Sequence, residues 1–343
     1  MQITMKFRVK DATSRKRLIA LAGSVNFVWN YINDLSFRNI RNYGRFLSNY
    51  TIDSYTSGSS KELPLHSTTF QAISKIYVTA RKEAHKRKLS WRSAKQSLGW
   101  IPFKASAIRI ADDVATYCGQ SYKFYKSRPI LGKIKSGSFN QDSRERWFIN
   151  LVVEIDETST KLKSFPNKEV GIDLGVKDKL SLSDGTKYSR ENLTKQYADR
   201  LASAQRARKP RQVANINAKI KNSRLDWNHK VTTEICRNYQ TIVAGNIQIS
   251  DLIEVGYKNT RKALLDSSLS TLKCFFNYKA QKLGNTFKLV DEAYTTMRCS
   301  QCGALTGPHG SEGLSIREWE CNLCHVLHDR DTCSAINILR LGH

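Results

Sequence analysis

No run of about 18 apolar residues occurs anywhere in the 343-residue chain, so no membrane-spanning helix is predicted. The N-terminal stretch MQITMKFRVK also lacks the apolar core of a secretion signal. Acidic residues are scarce: 30 Asp and Glu face 56 Lys and Arg, a formal net charge of +26. That excess predicts a polyanionic partner. Without a membrane-seeking segment, nucleic acid held through its phosphates is the simplest such partner. The protein is expected to be soluble and intracellular, with no membrane partner.

Cysteine is also sparse and uneven. Of eight, Cys118, Cys236, Cys274 and Cys333 are scattered and read as small hydrophobes. The other four form Cys299-x2-Cys302 and Cys321-x2-Cys324, with eighteen residues between the pairs. Paired CxxC knuckles at this separation fit one tetrahedral zinc ion, and four thiolates leave no open position for water, so the zinc is expected to be structural. His309, His325 and His328 lie nearby and read as loop or phosphate-contacting residues, not ligands.

Ile3, Met5, Phe7 and Val9 alternate with Lys6, Arg8 and Lys10, which predicts a half-buried strand with one basic face. From Ser14 the period lengthens: Leu18, Leu21, Val25, Trp29, Ile32 and Leu35 mark an amphipathic helix. The polar SNYTIDSYTSGSSKELP reads as a loop, and residues 67–98, containing HKRKLSWRSAK, as helical again. A β-rich part spans 100–156; its best strand is RWFINLVVEID, with Trp147, Ile149, Leu151, Val153 and Ile155 on one face. The opening strand and this part are expected to make one barrel-like module interrupted by the helices.

KSFPNKEV reads as a linker into a second pattern. VGIDLGV and KLSLSDG are strands, and a basic helical region covers 190–239, broken at Lys209-Pro210. TIVAGN is a strand ended by Gly245-Asn246; a helix, the strand NTFKLVDEAY, the cysteines and a last helix, DTCSAINILRLG, follow. The alternation indicates a largely parallel α/β sheet.

Asp173 in GIDLGV is flanked by glycines that allow close approach of backbone or phosphate. Asp329 and Asp331 sit at the start of the last helix. Singly, each acid suits a turn or an N-cap. Together, in a basic α/β domain, they suggest carboxylates converging on divalent metal for phosphodiester hydrolysis.

GIDLGV, the CxxC pairs with REWEC between them, and HDRDTCSAINIL resemble the TnpB family of transposon-encoded RNA-guided nucleases, which is similar to type V CRISPR effectors and Fanzor proteins. The resemblance is specific over about 170–340. It implies an α+β multidomain protein. A β-barrel (wedge) module would span 1–13 and 99–165, with a helical recognition module at 14–98. An RNase H-like (RuvC) nuclease domain would span 166–343, with a zinc ribbon at 293–328 inserted in it. It also implies a transposon-derived guide RNA, a double-stranded DNA target with a short adjacent motif, and action in the cytoplasm of a prokaryotic cell, at the nucleoid.

The family's nuclease centre has three carboxylates. Asp173 and Asp331 match the first and third, but Gly245 occupies the place of the glutamate. In an RNase H-like sheet the strand ending at Ala244 and the strand TFKLVD would be parallel neighbours about 4.8 Å apart. Glu292, at the end of the second, could then reach the same metals through the space Gly245 leaves. Some relatives are similar in carrying a relocated glutamate just ahead of the zinc ribbon. The resemblance thus implies two Mg²⁺ ions held by Asp173, Glu292 and Asp331, and one structural Zn²⁺ held by Cys299, Cys302, Cys321 and Cys324. Glu292 as an ordinary surface residue stays open. Asp291 is the weaker candidate, since neighbouring strand residues point to opposite faces; Asp184 and Glu320 are further acids that spacing does not exclude, and Asp329 and Arg330 are candidates for supporting or phosphate contacts.

Among the basic segments, HKRKLSWRSAK and QRARKPRQ are charge runs suited to phosphates. Tyr122, Phe124 and Tyr125 among Lys123 and Lys126 could stack bases or pack in a core. Residues 250–262 fall where the family has a lid. Two rival functions remain: a nuclease-inactive RNA-guided DNA-binding repressor, and a transposase acting in strand transfer. Monomer or dimer is left open.

Overall fold

The alternation at the N-terminus yields strand β1 (Gln2–Arg8), whose Met5 and Phe7 are buried. The computed structural model describes residues 2–155, 164–176, 178–246, 268–309 and 312–343. They fall into two compact units, Met1–Asp156 and Glu157–His343.

In the first unit β1 pairs antiparallel with a strand more than a hundred residues away, enclosing the helices between them. Helix α1 (Asp11–Tyr43) ends on Gly44 in the left-handed region, and α2 (Asn49–Tyr55) and α3 (Ser67–Glu83) follow. Strands β2 (Trp100–Lys104), β3 (Ile108–Ala111), β4 (Val114–Tyr117), β5 (Gln120–Lys123), β6 (Lys133–Gln141) and β7 (Trp147–Glu154) complete two antiparallel sheets, β1-β7-β6-β2 and β3-β4-β5. The sheets join at the Val9–Phe124 bridge around one core. Trp147, Ile149, Leu151, Val153 and Ile155 all point into it. So do Tyr122 and Phe124, which are core and not base-stacking residues; Tyr125 alone of the three is exposed.

Two expectations for this unit fail. The segment read as a loop contains α2, because Ser48 caps it by accepting from the Thr51 amide at 3.1 Å and Ile52 is buried beneath it. The helix expected over 67–98 stops at Glu83. Asn30 and Asn33 on α1 each grip the backbone of the following segment in both directions. Asn33 donates to Leu89 O and accepts from its amide (2.8 and 3.0 Å), and Asn30 does the same with Arg92 (2.8 Å each). Backbone groups satisfied this way have no need of a helix.

The second unit holds a five-stranded sheet in the order β10-β9-β8-β11-β12. Its strands are β8 (Asn167–Asp173), β9 (Asp178–Leu182), β10 (Lys187–Ser189), β11 (Tyr239–Gly245) and β12 (Thr286–Val290). Strands β8, β11 and β12 are parallel, whereas β8-β9-β10 is an antiparallel meander, so the sheet is mixed and not largely parallel. The reason is connection length: four residues join β8 to β9, too few for the crossover a parallel pair needs. The supposed linker KSFPNKEV is likewise half strand, since β8 begins at Asn167.

Helices α4 (Leu193–Gln196), α5 (Ala198–Arg206) and α6 (Pro210–Asn238) form the basic helical region, with the expected break at Lys209-Pro210. Helix α7 (Leu269–Leu283) precedes β12. The antiparallel pair β13 (Glu318–Glu320) and β14 (Leu327–Asp329) leads into α8 (Arg330–Leu341). Residues 250–262, expected to form a lid, lie outside the described residues. Among the described residues no helix is long and apolar enough to cross a membrane.

Candidate active site and metal centres

Asp173 ends β8, the central strand of the sheet, with Val170 and Ile172 buried behind it. Two residues earlier on the same side stands Gly171. A Cβ there would collide with Ala335 O and come within 2.8 Å of Leu339 Cβ. The glycine therefore lets α8 lie directly on β8, a backbone approach and not a phosphate one. Asp331 is one turn before Ala335 on that helix, so the packing that Gly171 permits turns Asp331 toward Asp173.

The vacancy at position 245 is filled. Strands β11 and β12 pair in parallel with Gly245 opposite Val290, and the Asn246 amide donates to Val290 O at 2.8 Å. Glu292 follows two residues later and folds back over the glycine. A Cβ added at 245 would collide with Glu292 Oε2 and lie 3.2 Å from its Cδ. Glu292 Oε2 is buried and has no hydrogen-bond partner among the described residues. Asp291 instead caps its own turn, accepting from the Ala293 amide at 3.1 Å in an exposed position.

Asp173 feels both of the other acids. Burial pushes the Asp173 carboxyl up to about 7, and the charges of Glu292 and Asp331 push the same way against the pull of Arg330. Burial likewise raises Glu292 to about 7; Lys273 opposes the shift and Asp291 adds to it. Arg317 sits 3.4 Å from Asp331 Oδ2. A buried, unpartnered carboxylate oxygen beside two further acids is costly unless a cation completes it. The three acids do not bring their oxygens within 4.8 Å of one another as the four cysteines do their sulfurs, so a shared cation would require their side chains to close in. Removing one acid should then relieve the metal-free fold: Asp173→Asn is expected to stabilise it by about 1–2 kcal/mol, or ~2–8 °C in melting temperature. Thermal melts in chelator, wild type against variant, check this.

The remaining acids are employed elsewhere. Asp329 caps α8, accepting from the Thr332 amide at 2.9 Å, and pairs with Lys187 at 2.7 Å. Asp184 accepts from the Tyr239 hydroxyl and the Thr186 amide. Glu320 pairs with His325 at 3.0 Å on the surface. Arg330 donates to Gly313 O at 2.8 Å.

Cys299, Cys302, Cys321 and Cys324 bring their four sulfurs within 4.8 Å of one another, with 3.5 Å between Cys299 and Cys324 and 3.6 Å between Cys302 and Cys321. A tetrahedron of Zn–S bonds of about 2.3 Å has edges of roughly 3.8 Å, so the cluster could hold one zinc ion. His328 is not a loop residue as expected. It is buried on β14 against Trp319, its Nε2 3.0 Å from Cys299 Sγ, where an N–H would support a thiolate. Of the scattered cysteines, Cys236 and Cys333 are buried, while Cys118 and Cys274 are exposed and not core.

Sequence reasoning missed the brace between the two ends of the site. Asn337 on α8 donates to Thr295 O at 2.9 Å and Arg298 O at 2.7 Å, and Ser334 donates to Thr295 Oγ1 at 3.0 Å, all three side chains being buried. The brace fixes the turn after Glu292 to the helix that bears Asp331. An Asn and a Ser four and one residues past a cysteine carry no signal in sequence. Their spacing on the buried face of an amphipathic helix is the one hint.

Residues 150–256 match the family model described as "Probable transposase", and residues 270–338 the "Cas12f1-like, TNB domain". A Streptomyces pristinaespiralis protein named, provisionally, an RNA-guided DNA endonuclease is 31% identical over 59% of this chain and 52% of its own. A TnpB-like protein of Acanthamoeba polyphaga mimivirus is 23% identical over 66% of this chain and 47% of its own. The matches thus span about half the length of these curated relatives. A solved Cas12f1–sgRNA–target DNA complex aligns over 100% of both chains at 16% identity, but with a TM-score of 0.40, too low to bear on the fold. On the two family matches, which fall in its C-terminal half, and the named relatives, this chain is similar to TnpB proteins and RNA-guided DNA endonucleases.

Proposed function

We propose that the protein is an RNA-guided DNA endonuclease in which Glu292 replaces the glutamate absent at Gly245. The observation that carries this is the buried, unpartnered Glu292 Oε2 lying over Gly245 beside Asp173. The second unit is read as an RNase H-like (RuvC) nuclease domain with a zinc ribbon at 293–328. The first is read as a wedge module, 1–13 and 99–165, carrying a helical recognition module, 14–98. Guide RNA and a double-stranded target with a short adjacent motif are the proposed partners, in keeping with the +26 charge.

In this reading Asp173, Glu292 and Asp331 would hold two Mg²⁺ ions, and the four cysteines one structural Zn²⁺. Bound Mg²⁺ would lower the pKa of the attacking water and stabilise the leaving oxygen. The chain's own contribution is geometric and electrostatic. Asp173 would be offered to the metal from the end of the central strand, with Glu292 just past β12 and Asp331 on α8. Arg317, 3.4 Å from Asp331 Oδ2, offsets that acid's charge and would be available to a phosphate. Lys187 holds Asp329 in its capping role and so keeps the start of α8 in register.

The raised carboxyls give this reading a pH signature. With folded values near 7, Asp173 and Glu292 carry protons below neutrality, and metal must displace them. Apparent Mg²⁺ affinity is therefore expected to rise by about 10- to 100-fold from pH 6 to pH 8 and then level off. In the metal-free protein the sign reverses. Each acid titrates higher folded than unfolded, so its penalty is full above about 7 and fades as pH falls toward the unfolded value near 4. Mn²⁺ binding followed by electron paramagnetic resonance at pH 6, 7 and 8 tests the first statement. A flat profile would remove the buried acids from the metal site.

A further inference from the structure

The first unit contains a second built cavity, apart from the carboxylates. Phe46, Arg81, Lys82, His85 and Lys86 line 360 Å³ at the C-terminal end of α3. Arg81 is only 3% exposed, and among the described residues no carboxylate pairs with it. Its Nη1 donates to Ser36 Oγ at 2.7 Å and its Nη2 to Leu47 O at 3.3 Å. A guanidinium buried without an anion is costly, and burial pulls its pKa down. It lies 4.3 Å from the centroid of the Phe46 ring, which is itself 55% exposed. One face of Phe46 thus rests on a buried cation, while more than half of the residue's surface stays open to solvent.

The rim is basic because of how α3 ends. His85 adopts φ 51, with its amide donating to Lys82 O and that of Lys86 to Arg81 O. The chain wraps back, leaving Lys82, His85 and Lys86 exposed together. Helix C-terminal carbonyls do not attract anions, so any phosphate contact falls to the lysine heads.

We propose that this cavity receives an unpaired nucleotide, its base stacked on the exposed ring of Phe46 and its phosphate met by Lys82 and Lys86. A base inside a duplex has no free face to offer, so the ligand is single-stranded. An aromatic ring backed by arginine and rimmed by lysine is the general chemistry of such sites.

The test uses the full-length protein with short single strands carrying one 5-iodouridine (RNA) or 5-iododeoxyuridine (DNA), crosslinked by light and mapped by mass spectrometry. The expected crosslink is at Phe46. It falls at least about tenfold in Phe46→Leu, persists in Phe46→Trp, and is competed by unlabelled single strand but not by duplex. The RNA and DNA arms tell which strand supplies the nucleotide. Lys82→Gln with Lys86→Gln should also flatten the salt dependence of single-strand binding by about 1.4 in log–log slope, two contacts' worth. Crosslinks confined to other residues, an unchanged yield in Phe46→Leu, or equal competition by duplex would overturn the proposal. Phe46 is a surface residue, and circular dichroism of each variant confirms that the helices persist.

Discussion

Glu292→Ala is expected to lower target cleavage by about 10³-fold or more, while guide and target binding stay within about twofold. A metal ligand contributes several kcal/mol of charge stabilisation to the reacting centre, and each 1.36 kcal/mol is tenfold in rate. Two companion variants separate this from simple damage. Gly245→Ala would set a Cβ against Glu292 Oε2, the free end of a flexible side chain, so the carboxylate moves and the fold survives. Stability should change by less than about 1 kcal/mol, since alanine suits a strand at least as well as glycine, yet cleavage should fall about tenfold or more. Conversely, Gly245→Glu combined with Glu292→Ala supplies an acid from the neighbouring strand into the space just vacated, and should return part of the activity. Single-turnover cleavage with matched filter-binding measurements decides all three.

Under the proposed zinc site, removing the metal should have an effect of similar size through a different route. Among the described residues, the apolar core around the four cysteines is little more than Trp319, Cys333 and those cysteines themselves, far too small to hold the segment together. Structural zinc supplies about 10–16 kcal/mol in small domains of this kind. Cys321→Ser, or a strong chelator, is expected to melt 293–328. Because Asn337 grips Arg298 O just before Cys299, the loss reaches the helix bearing Asp331. Cleavage should disappear and the second unit's melting temperature should fall by ~10 °C or more, while the first unit's core is untouched. One zinc per chain by elemental analysis, lost in Cys321→Ser, accompanies that result. A zinc-free protein with unaltered melting and cleavage would contradict it. His328→Ala should lie between, weakening zinc retention about 10- to 100-fold.

Features written in local periodicity were the legible ones. Ile3 to Val9 and Trp147 to Ile155 alternate because each strand has one buried face, and those faces are the core observed. The parallel pairing of β11 with β12, and with it the proximity of Gly245 and Glu292, was foreseeable through the family resemblance and not from periodicity. What stayed hidden depends on long-range partners. The end of α3 is dictated by Asn30 and Asn33 acting on residues more than fifty positions away. The antiparallel meander follows from the short β8–β9 connection, which a count of strands and helices overlooks. His328 looked like one of three loop histidines until Trp319 and Cys299 closed around it. Arg81 and Phe46, far apart in sequence, carry no motif at all.

The central claim is that this protein, with Gly245 where related nucleases carry a glutamate, cuts DNA using Glu292. Its most direct test is cleavage of a target plasmid library by the protein co-expressed with its flanking genomic RNA, in Mg²⁺, comparing wild type, Glu292→Ala and Asp173→Ala. The account predicts that wild type cleaves beside a short fixed motif and that neither variant does. A wild-type complex that binds the target through RNA and never cuts it, or a Glu292→Ala variant that cuts like wild type, would contradict it.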